Sequence, residues 1–351
     1  MLIENKLYKE DIERINSLDI DYEKLNGSSI FITGATGMIG SVLVDALMYR
    51  NLKFNADIKI YALARNIDRA KERFSVYSNI PNFKFIKGDI NFPIENIPEF
   101  DYMFHCASNT HPKDYAADPI GTIMTSVIGT KNFLDYAKNS HAKRAVFLSS
   151  VEIYGENRGD TERFSENDLG YIDCNTLRAG YPEGKRAGEA LCQAYIEKYG
   201  MDVVIPRICR VYGPSMLKTD SKALAQFIKK AVAGENIVLK SEGTQYYSYC
   251  YAADVVSALL FLLINGKNGE SYNIADPKSD IRLKDLAELL AKSAGTEVVF
   301  ELPDESERKG YSKATKALLD PKKLNSIGWR PFYNINEGLE RTVKVLREDQ
   351  K

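Results

Sequence analysis

The sequence predicts an α/β protein, a doubly wound parallel sheet with a smaller C-terminal lobe. Three observations predict it. Short apolar runs alternate with helical patterns over most of the first 265 residues, and such alternation pairs strands in parallel with helices on both faces. The first apolar run passes directly into a glycine-rich turn that opens a helix. After about Arg207 shorter elements follow, interrupted by Gly213, Pro214, Gly234 and Gly243, as in a lobe that closes over strand ends.

Residues 1–27 read as a helical extension to which no function is assigned. Ile30–Thr33 is the first strand and Ile39–Arg50 the first helix of the repeat; Lys59–Leu63 is a strand and Asp68–Phe74 a charged helix. Phe83–Ile86, Tyr102–His105, Ala145–Leu148 and Val203–Ile205 are further strands, with helical stretches over Pro119–Lys138 and Pro182–Tyr199. Helix Leu283–Ala294 and segment Val298–Leu302 lie beyond the repeat. The expected division is therefore a sheet domain over 28–207, rejoined by 236–265, and a substrate-binding lobe over 208–235 and 266–351.

Composition narrows the partners. A chain of 351 residues with 44% hydrophobic and 27% charged side chains is ordinary globular protein. Lys+Arg is 47 against Asp+Glu 48, so the basic excess of a nucleic-acid binder is missing and no nucleic-acid partner is expected. The longest nearly apolar run, Val255–Ile264, is about half the ~20 residues of a membrane span, and no membrane partner is expected. Met1–Asn16 is rich in Glu, Lys and Asp and has no apolar core like that of a signal peptide. Cys106, Cys174, Cys192, Cys209 and Cys250 are odd in number and lack CxxC spacing. Buried, reduced thiols in a cytoplasmic protein are expected. His105, His111 and His141 show no metal-ligand spacing, so no metal is expected. His105 reads as a packed residue and His141 as a solvated one, while His111, beside Pro112, is placed to border a substrate.

The glycine turn is Thr33-Gly34-Ala35-Thr36-Gly37-Met38-Ile39-Gly40. Gly34 permits the tight turn, Gly37 lets the backbone approach a pyrophosphate, and Gly40 lets helix and strand pack closely. The amides and the positive end of the helix then face phosphates. A strand–turn–helix context makes this a Rossmann-type dinucleotide site. Thr36, Met38 and Ile39 of the turn join its lining, with Ala107 and Ser108 after the fourth strand. Asp89, with Ile90, is placed at the adenine edge. The second strand ends in Ala64-Arg65 where an NAD site usually carries an acid. Arg65 either meets a 2′-phosphate, favouring NADP, or is a solvated strand-end residue, so the expected cofactor is NAD or NADP.

Tyr181-Pro182-Glu183-Gly184-Lys185 carries the sharpest chemical signal. A spacing of four places Tyr181 and Lys185 on one helix face, and Pro182 fits a first turn. A phenol with an ordinary pKa near ~10 is a poor base at neutral pH. A neighbouring ammonium and an oxidised nicotinamide favour its phenolate, which then takes a proton from a sugar hydroxyl as hydride leaves the same carbon. Tyr49 and Lys53 share the spacing, but at the end of the first helix. Tyr181 is distinguished by Ser149-Ser150-Val151-Glu152-Ile153-Tyr154-Gly155, which follows a strand whose end faces the same site. There Ser150 can hold the reacting oxygen against Tyr181.

These residues, with Arg207, Tyr212-Gly213-Pro214 and Asp254, resemble the extended short-chain dehydrogenase/reductase family of nucleotide-sugar epimerases, dehydratases and decarboxylases, over most of the chain from Ser29. His105–Ser108 through Asp118-Pro119, and Arg178 through Arg186, are most similar to the UDP-glucuronate decarboxylase branch. The resemblance implies that Ser150, Tyr181 and Lys185 are catalytic, that a tightly bound cofactor transiently oxidises C4 of a nucleotide diphosphate sugar, and that the protein is a homodimer. Glu152 is implied as the further catalytic group of dehydratases and decarboxylases; a 4-epimerase, in which Glu152 is structural, and an NADPH-dependent 4-keto-sugar reductase are the alternatives. Ser108, His111, Ser150, Arg210 and Tyr247 are the expected substrate contacts. The family usually has asparagine at the position of Arg210 and arginine at that of Tyr247. Arg210 therefore either supplies the cation that position 247 lacks, or pairs with an acid. The tyrosines at 246–249 either stack on a base or form a half-buried strand face.

Overall fold

The computed structural model describes residues 2–109, 117–301 and 315–349. Its first part runs α1 (Lys6–Ile15), β1 (Ser29–Thr33), α2 (Met38–Phe54), β2 (Lys59–Ala64), α3 (Ile67–Arg73), β3 (Phe83–Lys87) and β4 (Tyr102–His105). Then come α4 (Pro119–Met124), α5 (Thr130–Asn139), β5 (Arg144–Phe147), β6 (Ser149–Ser150), α6 (Gly180–Tyr199) and β7 (Val203–Ile208). A π-helical turn, Thr125–Gly129, joins α4 to α5. The strand and helix types match the sequence expectation, and the bounds differ by a few residues at the ends, where side-chain periodicity fades before backbone hydrogen bonding does.

The remaining elements are β8 (Arg210–Tyr212), α7 (Ala223–Ala233), β9 (Ile237–Leu239), β10 (Tyr246–Tyr251), α8 (Ala252–Asn265), β11 (Ser271–Ile274) and β12 (Asp280–Arg282). After them come α9 (Leu283–Ala294), β13 (Val298–Phe300), β14 (Lys316–Ala317), α10 (Lys322–Ser326) and α11 (Ile335–Glu348). The main sheet has the order β11-β7-β5-β4-β1-β2-β3, all parallel, with β6 prolonging the line of β5 against β7. Winding reverses between β1 and β4, which opens a crevice at their C-terminal ends. Both faces of β4 and β7 are buried throughout, so their sequences read as continuous apolar runs rather than alternations.

Helix α8 is buried from Ala252 to Leu263 and packs against α2, β5 and β7. The longest apolar run is therefore a core helix. Among the described residues no helix is long and apolar enough to cross a membrane. The N-terminal extension is built into the same core: Tyr8, Ile12 and Ile15 of α1 are buried against α2, α8 and α11.

Three strands differ from the expected division. β10 lies in the stretch expected to rejoin the sheet domain but is the centre of a smaller, separate sheet. β11 lies in the stretch assigned to the lobe, yet it forms the edge of the main sheet beside β7. β9, from the stretch expected to rejoin the sheet domain, pairs with β13 instead. A strand of three or four residues carries too little alternation to name its partner sheet; the crossover made by α8 decides it. The smaller sheet joins β12, β10 and β14, with β8 beside β10. All five cysteines are free; Cys192, Cys209 and Cys250 are buried and Cys106 is half-buried. Cys174 is exposed, against expectation, because it sits on a polar loop rather than in a packed element.

Candidate active site

The crevice between β1 and β4 is closed backbone to backbone. Gly34 has φ +66, and a Cβ there would lie 2.6 Å from the Ala107 nitrogen and 2.7 Å from the Cys106 carbonyl carbon. Thr33 secures the opposite strand end: its hydroxyl lies 2.8 Å from His105 Nδ1 and accepts from the Ala107 amide at 3.2 Å. His105 is stacked between Phe133 and Phe147, and burial pushes its pKa well down. It is the packed residue the sequence predicts, and exposed His141 is the solvated one.

A Cβ at Gly40 would overlap the Gly34 carbonyl oxygen, so α2 starts tight against the turn. Gly37 caps α2 and offers the first-turn amides no side chain, so that among the described residues they have no side-chain acceptor. An uncapped helix start behind a turn with no room for Cβ atoms fits a dinucleotide diphosphate. Thr36, Met38 and Ile39 are half-buried along this turn. Arg65 is 71% exposed and its nearest acid is Asp89, at 3.9 Å. A carboxylate already facing Arg65 offsets the charge that a 2′-phosphate would need, which fits NAD. Ile90 is buried in the core, and Asn132 donates to its carbonyl at 2.8 Å.

Helix α6 starts at Gly180, with Pro182 in its first turn. Its close approach rests on small residues: a Cβ at Gly184 would lie 2.6 Å from that of Ser126, and one at Gly188 2.5 Å from the ring of Phe147. This seats Tyr181 and Lys185 beside the end of the β5–β6 line. The Tyr181 hydroxyl hydrogen-bonds with Ser150 and also faces Ser108. Lys185 is buried one turn further on and donates from Nζ to the Leu148 carbonyl at 2.7 Å. Burial pushes the Tyr181 phenol up to about 12, against the Ser150 hydrogen bond that lowers it. Burial brings the Lys185 ammonium down to about 8. Burial thus favours the neutral phenol at Tyr181 and makes the Lys185 ammonium readier to give up its proton.

Glu152 follows in the 3-10 turn Val151–Tyr154, and the Ser150 hydroxyl accepts from its amide at 3.3 Å. Its two carboxylate oxygens face two guanidinium groups: Arg178 Nη2 at 3.3 Å from Oε2, and Arg210 Nη2 at 3.5 Å from Oε1. Arg210 thus pairs with an acid, and that acid is the site's own glutamate. The Arg210 guanidinium carbon lies 3.4 Å from the centre of the Tyr247 ring. Strand register explains this: Arg210 on β8 is opposite Tyr249 on β10, so Tyr247 is a same-face diagonal neighbour. Tyr247 and Tyr249 are buried and Tyr246 half-buried.

Ser150, Glu152, Tyr181, Lys185, Ser108, Arg210 and Tyr247 are thus linked through these contacts. His111 lies outside the described residues. The sequence reading missed two groups. Arg178, three residues before Tyr181, was legible as a neighbour at the helix start. Glu189, four residues beyond Lys185 on the same helix face, accepts from Ser149 Oγ at 2.5 Å and from Arg207 at 2.7 and 3.0 Å.

A doubly wound sheet with a glycine turn at its switch point, and a buried Ser–Tyr–Lys set beside that turn, defines a dinucleotide-dependent enzyme. The chain belongs to the NAD dependent epimerase/dehydratase family, whose sequence model matches residues 30–275, and it is an NAD-dependent enzyme. It is 31% identical over 325 residues to UDP-glucuronic acid decarboxylase 1 of Xenopus tropicalis, covering 91% of this chain and 72% of that protein. UDP-glucuronic acid decarboxylase 6 of Arabidopsis thaliana is also 31% identical, over 88% of this chain and 86% of its own. Among solved structures, a dTDP-glucose 4,6-dehydratase from Streptomyces venezuelae matches the fold with a TM-score of 0.78 at 24% identity, over 92% of this chain and 98% of that one.

Proposed function

We propose that this enzyme acts on a nucleotide diphosphate sugar through transient oxidation at sugar C4, and that the oxidised sugar then loses a C5 carboxylate as carbon dioxide. The observation that carries the reading is the buried contact of Tyr181 with Ser150, one helical turn from Lys185. Bound NAD supplies the hydride acceptor and returns the hydride. Ser150 orients the C4 hydroxyl, Tyr181 removes its proton, and buried Lys185 favours the phenolate while it is charged. A ketone at C4 is β to the C5 carboxylate, which makes loss of carbon dioxide feasible, and the short separation of Glu152 from Ser150 supports a role for it at that end of the sugar. The likeness to UDP-glucuronic acid decarboxylases over nine-tenths of the chain supports this branch over 4-epimerisation.

Incubation with UDP-, dTDP-, GDP- and CDP-sugars, with products read by mass, tests it. Loss of ~44 mass units from a nucleotide-linked uronic acid is the expected result. Loss of ~18 would assign a dehydratase, and an isomer of unchanged mass a 4-epimerase. The same reading makes the protein a homodimer through α4–α5 and α6; exposed Ile120, Ile123 and Met124 on α4 support such pairing. Five unpaired cysteines support a reducing, cytoplasmic setting.

A further inference from the structure

Charges around Glu152 do not balance. Two guanidinium groups, Arg178 and Arg210, share one carboxylate. Among the described residues neither arginine reaches a second acid. Arg210 Nη1 is buried without a hydrogen-bond partner among the described residues. A buried guanidinium N–H left unpaired is costly, so such a group marks a site that a ligand completes. Tyr247 lies under the guanidinium at 3.4 Å, and this stack fixes its plane before any ligand arrives.

We propose that Arg210 determines specificity by exchanging partners. In the substrate-free enzyme it holds Glu152; in the complex it holds an oxyanion of the substrate through Nη1 and Nη2. Tyr247 is the positioning residue that keeps the fork flat. The inference rests on the nucleotide-sugar reading and adds what selects the substrate. Because Glu152 follows Ser150, and Ser150 meets Tyr181, the oxyanion arrives at the sugar end of the site. The exchange leaves Glu152 with Arg178 alone and hence freer to move a proton.

A guanidinium recognises a sugar carboxylate and a diphosphate by the same chemistry, so the test separates the two. Titration calorimetry of the NAD-loaded enzyme with UDP, UDP-glucose and UDP-glucuronate is compared with that of Arg210→Gln. Expected is a loss of affinity of at least about tenfold for UDP-glucuronate, with UDP and UDP-glucose within about threefold. An equal loss for all three assigns the oxyanion to the diphosphate and overturns the role of Arg210 in selecting the sugar. Unchanged affinity for all three overturns the proposal and leaves the nucleotide-sugar reading standing. A wild-type enzyme that binds none of these, nor their dTDP, GDP and CDP counterparts, overturns both. If Arg210→Gln does not fold, as judged by circular dichroism, Arg210→Lys serves, with a smaller loss in the same ligand. For Tyr247, the Phe variant keeps the ring and the affinity, while Tyr247→Leu loses the stack and at least about fivefold in UDP-glucuronate affinity. A Leu variant as tight as wild type would remove Tyr247 from the device.

Discussion

Glu189 and Arg207 join helix α6 to strand β7 through a two-pronged ion pair, with Nη2 to Oε2 at 2.7 Å and Nε to Oε1 at 3.0 Å. Their side chains are 14% and 9% exposed. Ser149 donates to the same carboxylate, and Arg207 also reaches the Tyr154 hydroxyl and the Glu166 carbonyl. The pair ties the helix bearing Tyr181 and Lys185 to the strand end bearing Ser150. Glu189→Gln leaves the guanidinium without its counter-charge, at a cost of about 3 kcal/mol. Urea denaturation should show that loss. Turnover should fall more than KM rises, since the change would displace the helix that carries Tyr181 and Lys185, the proposed catalytic pair. Unchanged stability would mean the pair is redundant.

Tyr181→Phe should abolish turnover while nicotinamide remains in the supernatant of the denatured protein. Appreciable residual activity would remove the phenol from its role as base. The same variant reads the titration. The folded phenol holds its proton to about 12, whereas an unfolded tyrosine loses it near ~10. Between those values the native state binds the extra proton, so this group's contribution to stability falls as pH rises from ~10. Lys185 has the opposite sign. Its pKa is brought down to about 8, the unfolded chain keeps the proton to ~10.4, and stability rises with pH in that interval. Phenolate absorbance of the cofactor-free wild type minus Tyr181→Phe should therefore appear near pH 12. A difference already present below pH 10 would contradict the burial argument.

Gly34→Ala meets two obstacles. The residue sits at φ +66, and the new Cβ would press on the backbone of Cys106 and Ala107. Strain alone costs about 1–3 kcal/mol, and relief requires the exits of β1 and β4 to part. A lower thermal midpoint and less than stoichiometric NAD after desalting are expected. Full NAD occupancy in a variant of normal stability would show that the close approach is not needed.

Asp11 on α1 accepts from the Tyr251 hydroxyl at 2.6 Å and from Arg341 Nε at 2.8 Å, and is buried. It links the N-terminal helix to β10 and to α11. Asp11→Ala should destabilise the folded chain by about 2–4 kcal/mol, because Arg341 and Tyr251 lose their acceptor. Thermal melting checks this; a midpoint within ~1 °C of wild type would make the N-terminal helix an appendage after all.

Local chemistry in the chain was enough to determine the strand–helix alternation, the turn from Thr33 to Gly40, and the pairing of Tyr181 with Lys185. Each depends on residues within one or two helical turns, where spacing fixes which side chains share a face. Ser150 was legible because a strand end and a sheet type together say where it points. Tertiary structure alone decided that α1 is part of the core, that β11 joins the main sheet, and that Arg210 lies between Glu152 and Tyr247. Those three outcomes depend on partners between roughly 35 and 330 positions away. Sequence periodicity carries no record of such distant partners. Which apolar face meets which, and which acid a given arginine reaches, is set only when the packed layers close and leave each buried charge a single place to go.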